Sequence, residues 1–147
     1  MREILISIHP IWCELITSGK KTDEVRKTKP KLEIPFKCYV YETQGRTETP
    51  WVDEDGHYIF KGRGQVIGEF VCDCMTGLKA DNMIQAYYNN TKGTCLTDED
   101  LRLYADGKKV YYWHISNLVI YDKPKELSEF GFKRPPQSWC YVKGGAV

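Results

Sequence analysis

Residues 3–26 read EILISIHPIWCELITSGKKTDEVR, and the hydrophobic period changes twice within them. Glu3-Ile4-Leu5-Ile6-Ser7-Ile8 is β-branched and mostly apolar, which predicts a buried strand. His9-Pro10 then opens a helix, because a proline suits the first helical position, where its missing N–H costs nothing. Ile11 and Leu15, and Trp12 and Ile16, are spaced by four, so an apolar stripe runs to about residue 18. Gly19 is a natural helix stop. Lys20 to Thr28 has a β-like centre, in which Thr22, Glu24 and Arg26 share one face and Asp23, Val25 and Lys27 the other.

Working outward, FKCYVYET (36–43) predicts a strand with Phe36, Cys38 and Val40 on one face and Lys37, Tyr39 and Tyr41 on the other. QVIGEFVCDC (65–74), VYYWHISNLVIY (110–121, ended by Pro124) and SWCYV (138–142) read as further strands. Helical patterns cover 79–90 and the stretch opened by Thr97-Asp98-Glu99-Asp100, where Thr97 caps and Asp100 completes a box. Lys125 to Phe130 fits one further turn. Asp55-Gly56, flanked by Trp51-Val52 and His57 to Phe60, marks a hairpin insertion at 45–63. The expected chain is a single α+β domain over 1–147, with about six strands and about three flanking helices. Without regular βα alternation, it should form a mixed sheet or small β-barrel.

The 147 residues are enough for a real core, and 21 basic against 20 acidic residues argue against a duplex-coating protein. A local basic patch, or a pocket for one nucleotide, is compatible with that balance. No apolar run of about 18 residues exists, so no membrane partner is expected. The N-terminus reads as a strand and not as a signal peptide, so a cytoplasmic protein is expected. Six cysteines with irregular spacing read as reduced thiols, and Cys72-x-Cys74 lacks zinc-site spacing. Neither a metal nor a cofactor is expected. Ten tyrosines, five phenylalanines and four tryptophans supply core packing and, at some positions, a platform for a base.

The Gly19–Arg26 segment is the principal candidate site. Lys21 can donate to an acceptor, or serve as a base if burial lowers its pKa, and Glu24 and Arg26 project together. The alternative is a solvated edge with ordinary ion pairs. Glu69 sits on a strand whose two faces are both largely apolar, which predicts a buried carboxylate partnered by Arg26 or Lys21. His114 and Ser116 share a strand face, but no nucleophile elbow accompanies them. Cys13 with His9 or His114 is a thiol-nucleophile pairing of the same standing. Trp12 and Trp113 are candidates to stack on a base, with core packing as their ordinary alternative.

Ser7-Ile8-His9-Pro10, the pattern Gly19-x-Lys21-x-x-Glu24-x-Arg26, Lys29-Pro30 and Val66-Ile67-Gly68-Glu69-Phe70 together resemble an ASCH domain. Trp113-His114-Ile115, Tyr121-Asp122-Lys123-Pro124 and Pro136-Gln137-Ser138-Trp139 resemble members common in bacteria and prophages. The similarity spans most of residues 3–142. It implies a PUA-like β-barrel with a central cleft that binds RNA or a modified nucleoside. Trp12, Lys21, Thr22, Glu24, Arg26, Glu69, Trp113 and His114 would serve as its ligand-binding residues. One ASCH branch is an amidohydrolase of N4-acetylcytidine with a lysine, a threonine and a glutamate as its catalytic set. Lys21 aligns with that lysine and Glu69 corresponds to the glutamate, but Glu24 stands at the threonine position, and a carboxylate does not replace a hydroxyl nucleophile. If the chain is such an enzyme, its catalytic residues would be Lys21, Glu24 and Glu69. Ribonuclease activity is also associated with the family. A third reading is a protein-interaction module of a mobile element that uses the Trp51–Phe60 hairpin.

Overall fold

The computed structural model describes residues 2–44, 51–52, 58–59, 62–79 and 91–144. Its elements are β1 (Arg2–Ile8), α1 (Pro10–Thr17), β2 (Asp23–Arg26), β3 (Phe36–Glu42), β4 (Trp51–Val52), β5 (Tyr58–Ile59) and β6 (Gln65–Lys79). A 3₁₀ turn (Thr91–Thr94), α2 (Asp98–Ala105), β7 (Lys109–Lys125), a second 3₁₀ turn (Leu127–Phe130) and β8 (Trp139–Lys143) follow. Six strands form one sheet in the order β2-β7-β6-β3-β1-β8, and β4 and β5 pair separately. Only the β1–β3 pairing of the large sheet is parallel.

The continuous apolar run of β1 follows from burial on both sides. Ile4, Ile6 and Ile8 join Cys38, Val40, Phe70, Cys72 and Trp113 on one face, where α1 contributes Cys13 and Ile16. Leu5 points the other way, against Tyr39, Val66, Val142 and the 3₁₀ residues Leu127 and Phe130. A third cluster packs Leu101 and Ala105 of α2 onto Val25, Val110 and Tyr112. α1 carries Pro10 in its first turn, as the sequence indicates, and Ser18 is its C-cap. Gly19 follows at φ +82°, a left-handed conformation costly for residues with a Cβ. Thr97 and Asp100 form the expected reciprocal cap of α2, with both bonds at 3.1 Å.

Three expectations change. The sheet does not close into a barrel: β2 and β8 stand at its two ends with no ladder between them. Side chains bridge this seam instead, through Arg26 Nη2 to the Ser7 carbonyl at 2.7 Å and Trp139 Nε1 to Thr28 Oγ1 at 2.9 Å. Two α-helices are present among the described residues, and the helix expected at 79–90 falls almost wholly outside them. β7 continues through Pro124 to Lys125, at the end of the strand, where a missing N–H is tolerated. The turn between β4 and β5 lies outside the described residues; their register pairs Trp51 with Ile59 and Val52 with Tyr58.

Candidate functional site

The open seam holds a cavity of about 370 Å³. The end of β1 supplies Ser7 and Ile8, α1 supplies Trp12, β2 supplies Glu24 and Arg26, and the approach to β8 supplies Gln137 and Ser138. Lys21 enters between α1 and β2, while Asp100 and Tyr104 of α2 complete the rim. The cavity therefore exists because the sheet stops short of closure.

Lys21 is held from both ends. Its backbone N–H donates to the Leu15 carbonyl at 2.9 Å, consuming one of the unpaired acceptors at the end of α1. Its Nζ donates to the Thr94 carbonyl at 2.5 Å and lies 5.1 Å from the centre of the Trp12 ring. Only 3 % of Lys21 is exposed, and burial lowers its pKa from the ordinary lysine value, with the Glu24 charge opposing that shift. Glu24 is 4 % exposed, and its two oxygens have different surroundings. Oε1 accepts from Arg26 Nη1, whereas Oε2 has no hydrogen-bond partner among the described residues and lies 3.9 Å from Lys21 Nζ. Arg26 is fixed by the Ser7 and Val25 carbonyls at 2.7 and 3.0 Å, and its Nε is likewise buried without a partner. The cavity thus carries one open carboxylate acceptor beside an amine and a guanidinium, next to an indole face. That pattern suits a planar ligand edge alternating donors and acceptors.

The remaining predicted residues lie elsewhere. Thr22 is exposed outside the cavity, its N–H donating to the Gly93 carbonyl at 2.8 Å and its own carbonyl accepting from Ile115 N at 2.8 Å. Gly93 permits this approach, since a Cβ there would stand 2.1 Å from Asp23 Oδ2. Trp113 is 0 % exposed and packs against Phe36 and Trp139 with ring centres 5.8 Å away in both cases, so it belongs to the core. His114 pairs with Asp73 at 2.7 Å on a partly exposed surface, and Ser116 Oγ donates to the Val71 carbonyl at 2.8 Å.

Glu69 is not buried with Arg26 or Lys21. It is partly exposed and pairs with Lys37 at 3.0 Å. An extra residue in β6 at Ile67, where the adjacent Val40 and Tyr41 of β3 oppose Gly68 and Val66, reassigns its faces, so that Ile67 joins Phe70 and Cys72 while Val66 turns to the opposite cluster. A further shift between Cys72 and Met75 leaves Cys72 buried and Cys74 exposed, although strict alternation would align them. Cys13 is buried, and burial raises its thiol pKa well above the ordinary value, which disfavours thiolate chemistry. Sequence reasoning passed over Thr94, Asp100 and Tyr104 as site residues. Thr94 acts through its carbonyl, which no side-chain motif reports, and the other two resemble ordinary helix residues.

ASCH from Zymomonas mobilis superposes on this chain with a TM-score of 0.72, covering 98 % of this chain and 90 % of that one at 19 % identity. The chain has the ASCH fold. A tyrosine-to-phenylalanine variant of the Zymomonas protein gives a TM-score of 0.71 at 19 % identity, over 98 % of this chain and 92 % of the other. A serine-to-alanine variant gives 0.71 over 98 % and 90 %, also at 19 % identity. No protein-family model matches the sequence, and no curated protein matches it significantly. In this ASCH fold the seam cavity is bounded by the Ser7–His9 and Gly19–Arg26 segments, which also carry part of the sequence resemblance.

Proposed function

We propose that this chain is an ASCH-type protein that binds a base of RNA, or a modified nucleoside, in the seam cavity. The observation that carries this reading is Glu24 Oε2, buried beside Lys21 and Arg26 and without a hydrogen bond among the described residues. A buried carboxylate oxygen without a hydrogen bond is costly, and a ligand N–H would satisfy it. Lys21 and Arg26 would meet the carbonyl or ring-nitrogen acceptors flanking that N–H, and Trp12 would stack on the base. Titrating labelled single-stranded RNA and a nucleoside panel against wild type and Lys21→Ala tests the assignment. Binding should fall at least tenfold in the variant, on the order of one lost charge-assisted hydrogen bond; equal binding would overturn it.

One observation favours a second reading, a hydrolase acting on an acylated nucleoside. Burial lowers the pKa of Lys21, which favours the neutral amine that a general base requires. Glu24 would then hold the substrate. Incubation with N4-acetylcytidine followed by chromatography tests this, and absence of product at high protein concentration would remove it.

A further inference from the structure

A second concavity of about 230 Å³ lies beyond the seam cavity, lined by Lys29, Leu32, Phe36, Met75, Lys109 and Tyr111 among others. Two ammonium groups flank one ring here: Lys29 Nζ is 5.6 Å and Lys109 Nζ 5.4 Å from the centre of Tyr111. Gly77 makes room for this arrangement, because a Cβ there would lie 2.7 Å from Lys109 Cε and 3.1 Å from Tyr111 Cε1. A third pair, Lys27 over Tyr104 at 4.9 Å, stands at the rim of the seam cavity. Among the described residues, no carboxylate lies within salt-bridge distance of Lys27, Lys29 or Lys109.

The two concavities lie along one face of the sheet. Arg26 and Tyr111 are opposed residues in the β2–β7 ladder, as are Glu24 and Trp113. Directly opposed residues of an antiparallel pair project to the same side, about 5 Å apart at Cα. Glu24 and Arg26 line the first cavity and Tyr111 the second, so the concavities adjoin across this ladder. Lys27 and Lys29 continue the chain from one to the other.

Resting on the base-binding reading of the seam cavity, we propose that Lys27, Lys29, Lys109, Tyr104 and Tyr111 hold the phosphodiester strand that flanks the bound base, making the ligand a single-stranded oligonucleotide. Lysines and aromatic rings side by side fit this ligand class: ammonium groups take the backbone phosphates, and the exposed Tyr104 ring takes a neighbouring base. A net charge of +1 leaves the chain as a whole with no excess to draw a polyanion, so the attraction has to come from local groups of cations.

The test compares a labelled oligoribonucleotide, the oligodeoxyribonucleotide of the same sequence, the matching nucleoside and a poly-glutamate peptide. Each is titrated over a salt series with wild type, a Lys29→Ala/Lys109→Ala double variant and Gly77→Ala, with circular dichroism confirming each fold. The double variant should bind oligonucleotide about tenfold or more weakly, and its log–log salt slope should be shallower by about 1.4, from two lost contacts at about 0.7 each on a single strand. Nucleoside binding should not change. Gly77→Ala should weaken oligonucleotide binding in the same direction without weakening nucleoside binding. RNA and DNA that respond alike to these substitutions support a contact with the shared phosphodiester, and a response confined to one overturns that assignment. Unchanged oligonucleotide affinity and slope in the double variant would overturn the track, as would poly-glutamate competing as well as the oligonucleotide. Nucleoside binding that survives in wild type without any gain from a longer strand overturns the track alone; loss of all nucleoside binding overturns the base-cavity reading beneath it.

Discussion

Glu24 and Glu69 are both strand carboxylates beside a cation, and they show opposite solutions to holding a charge in a sheet. Glu69 pairs with Lys37 at 3.0 Å, with side chains 24 % and 41 % exposed, so water screens the pair and the charge is cheap to keep. The Glu69 charge, after burial itself, helps raise the Tyr121 pKa, which favours the neutral phenol. Glu24 sits at 4 % exposure between Arg26 and Lys21, and one of its oxygens has no hydrogen bond among the described residues. Solvent screens the first site, whereas the second holds its charge at the wall of a cavity, where the proposed ligand would meet it. Burial therefore separates a structural ion pair from a candidate binding group where residue type does not.

Substitutions that break this contrast should differ in size. Glu24→Ala removes the counter-charge from Arg26 and Lys21, and chemical denaturation should register a loss of about 3 kcal/mol, typical of an uncompensated buried charge. Replacing Trp12 by alanine should lower stability, because Trp12 packs against the core, and should cost the folded protein about 1–3 kcal/mol of base binding, measured by fluorescence titration. A smaller, pH-dependent effect should separate wild type from Lys21→Met. Because burial lowers the folded-state pKa of Lys21, the folded chain releases its proton before the unfolded chain does. In that window the unfolded state binds more protons, so stability rises with pH. Denaturation at pH values from 7 up to the ordinary lysine value of 10.5 should therefore shift the stability difference in favour of wild type, and a shift toward Lys21→Met would refute the assignment. Glu69→Ala should cost about 0.5 kcal/mol and leave ligand affinity unchanged.

How much of this was legible in the sequence depends on how far each feature reaches along the chain. β1, α1 and Gly19 are written in local periodicity, so residues 3–19 read correctly, as did the alternation of β3. Glu24 and Arg26 share a face because β2 is regular over Asp23–Arg26. Glu69 was misread because a bulge at Ile67 takes that residue off the face Glu69 was expected to share with it, and bulges leave little trace in a hydrophobicity pattern. Trp113 looked like a stacking residue, yet its burial is set by Phe36 and Trp139, both distant in sequence. Barrel closure was also a long-range matter, decided by whether two end strands meet, and the gap where they do not holds the cavity.

The most direct measurement is base or nucleoside affinity for Glu24→Gln, with Glu69→Gln alongside. Glutamine preserves the volume of Glu24 but removes its charge, and it can present an amide donor where Oε2 was an open acceptor. The account predicts a loss of about tenfold to a hundredfold for Glu24→Gln, the range of a charge-assisted hydrogen bond, and none for Glu69→Gln. Wild-type affinity in a folded Glu24→Gln protein would contradict it.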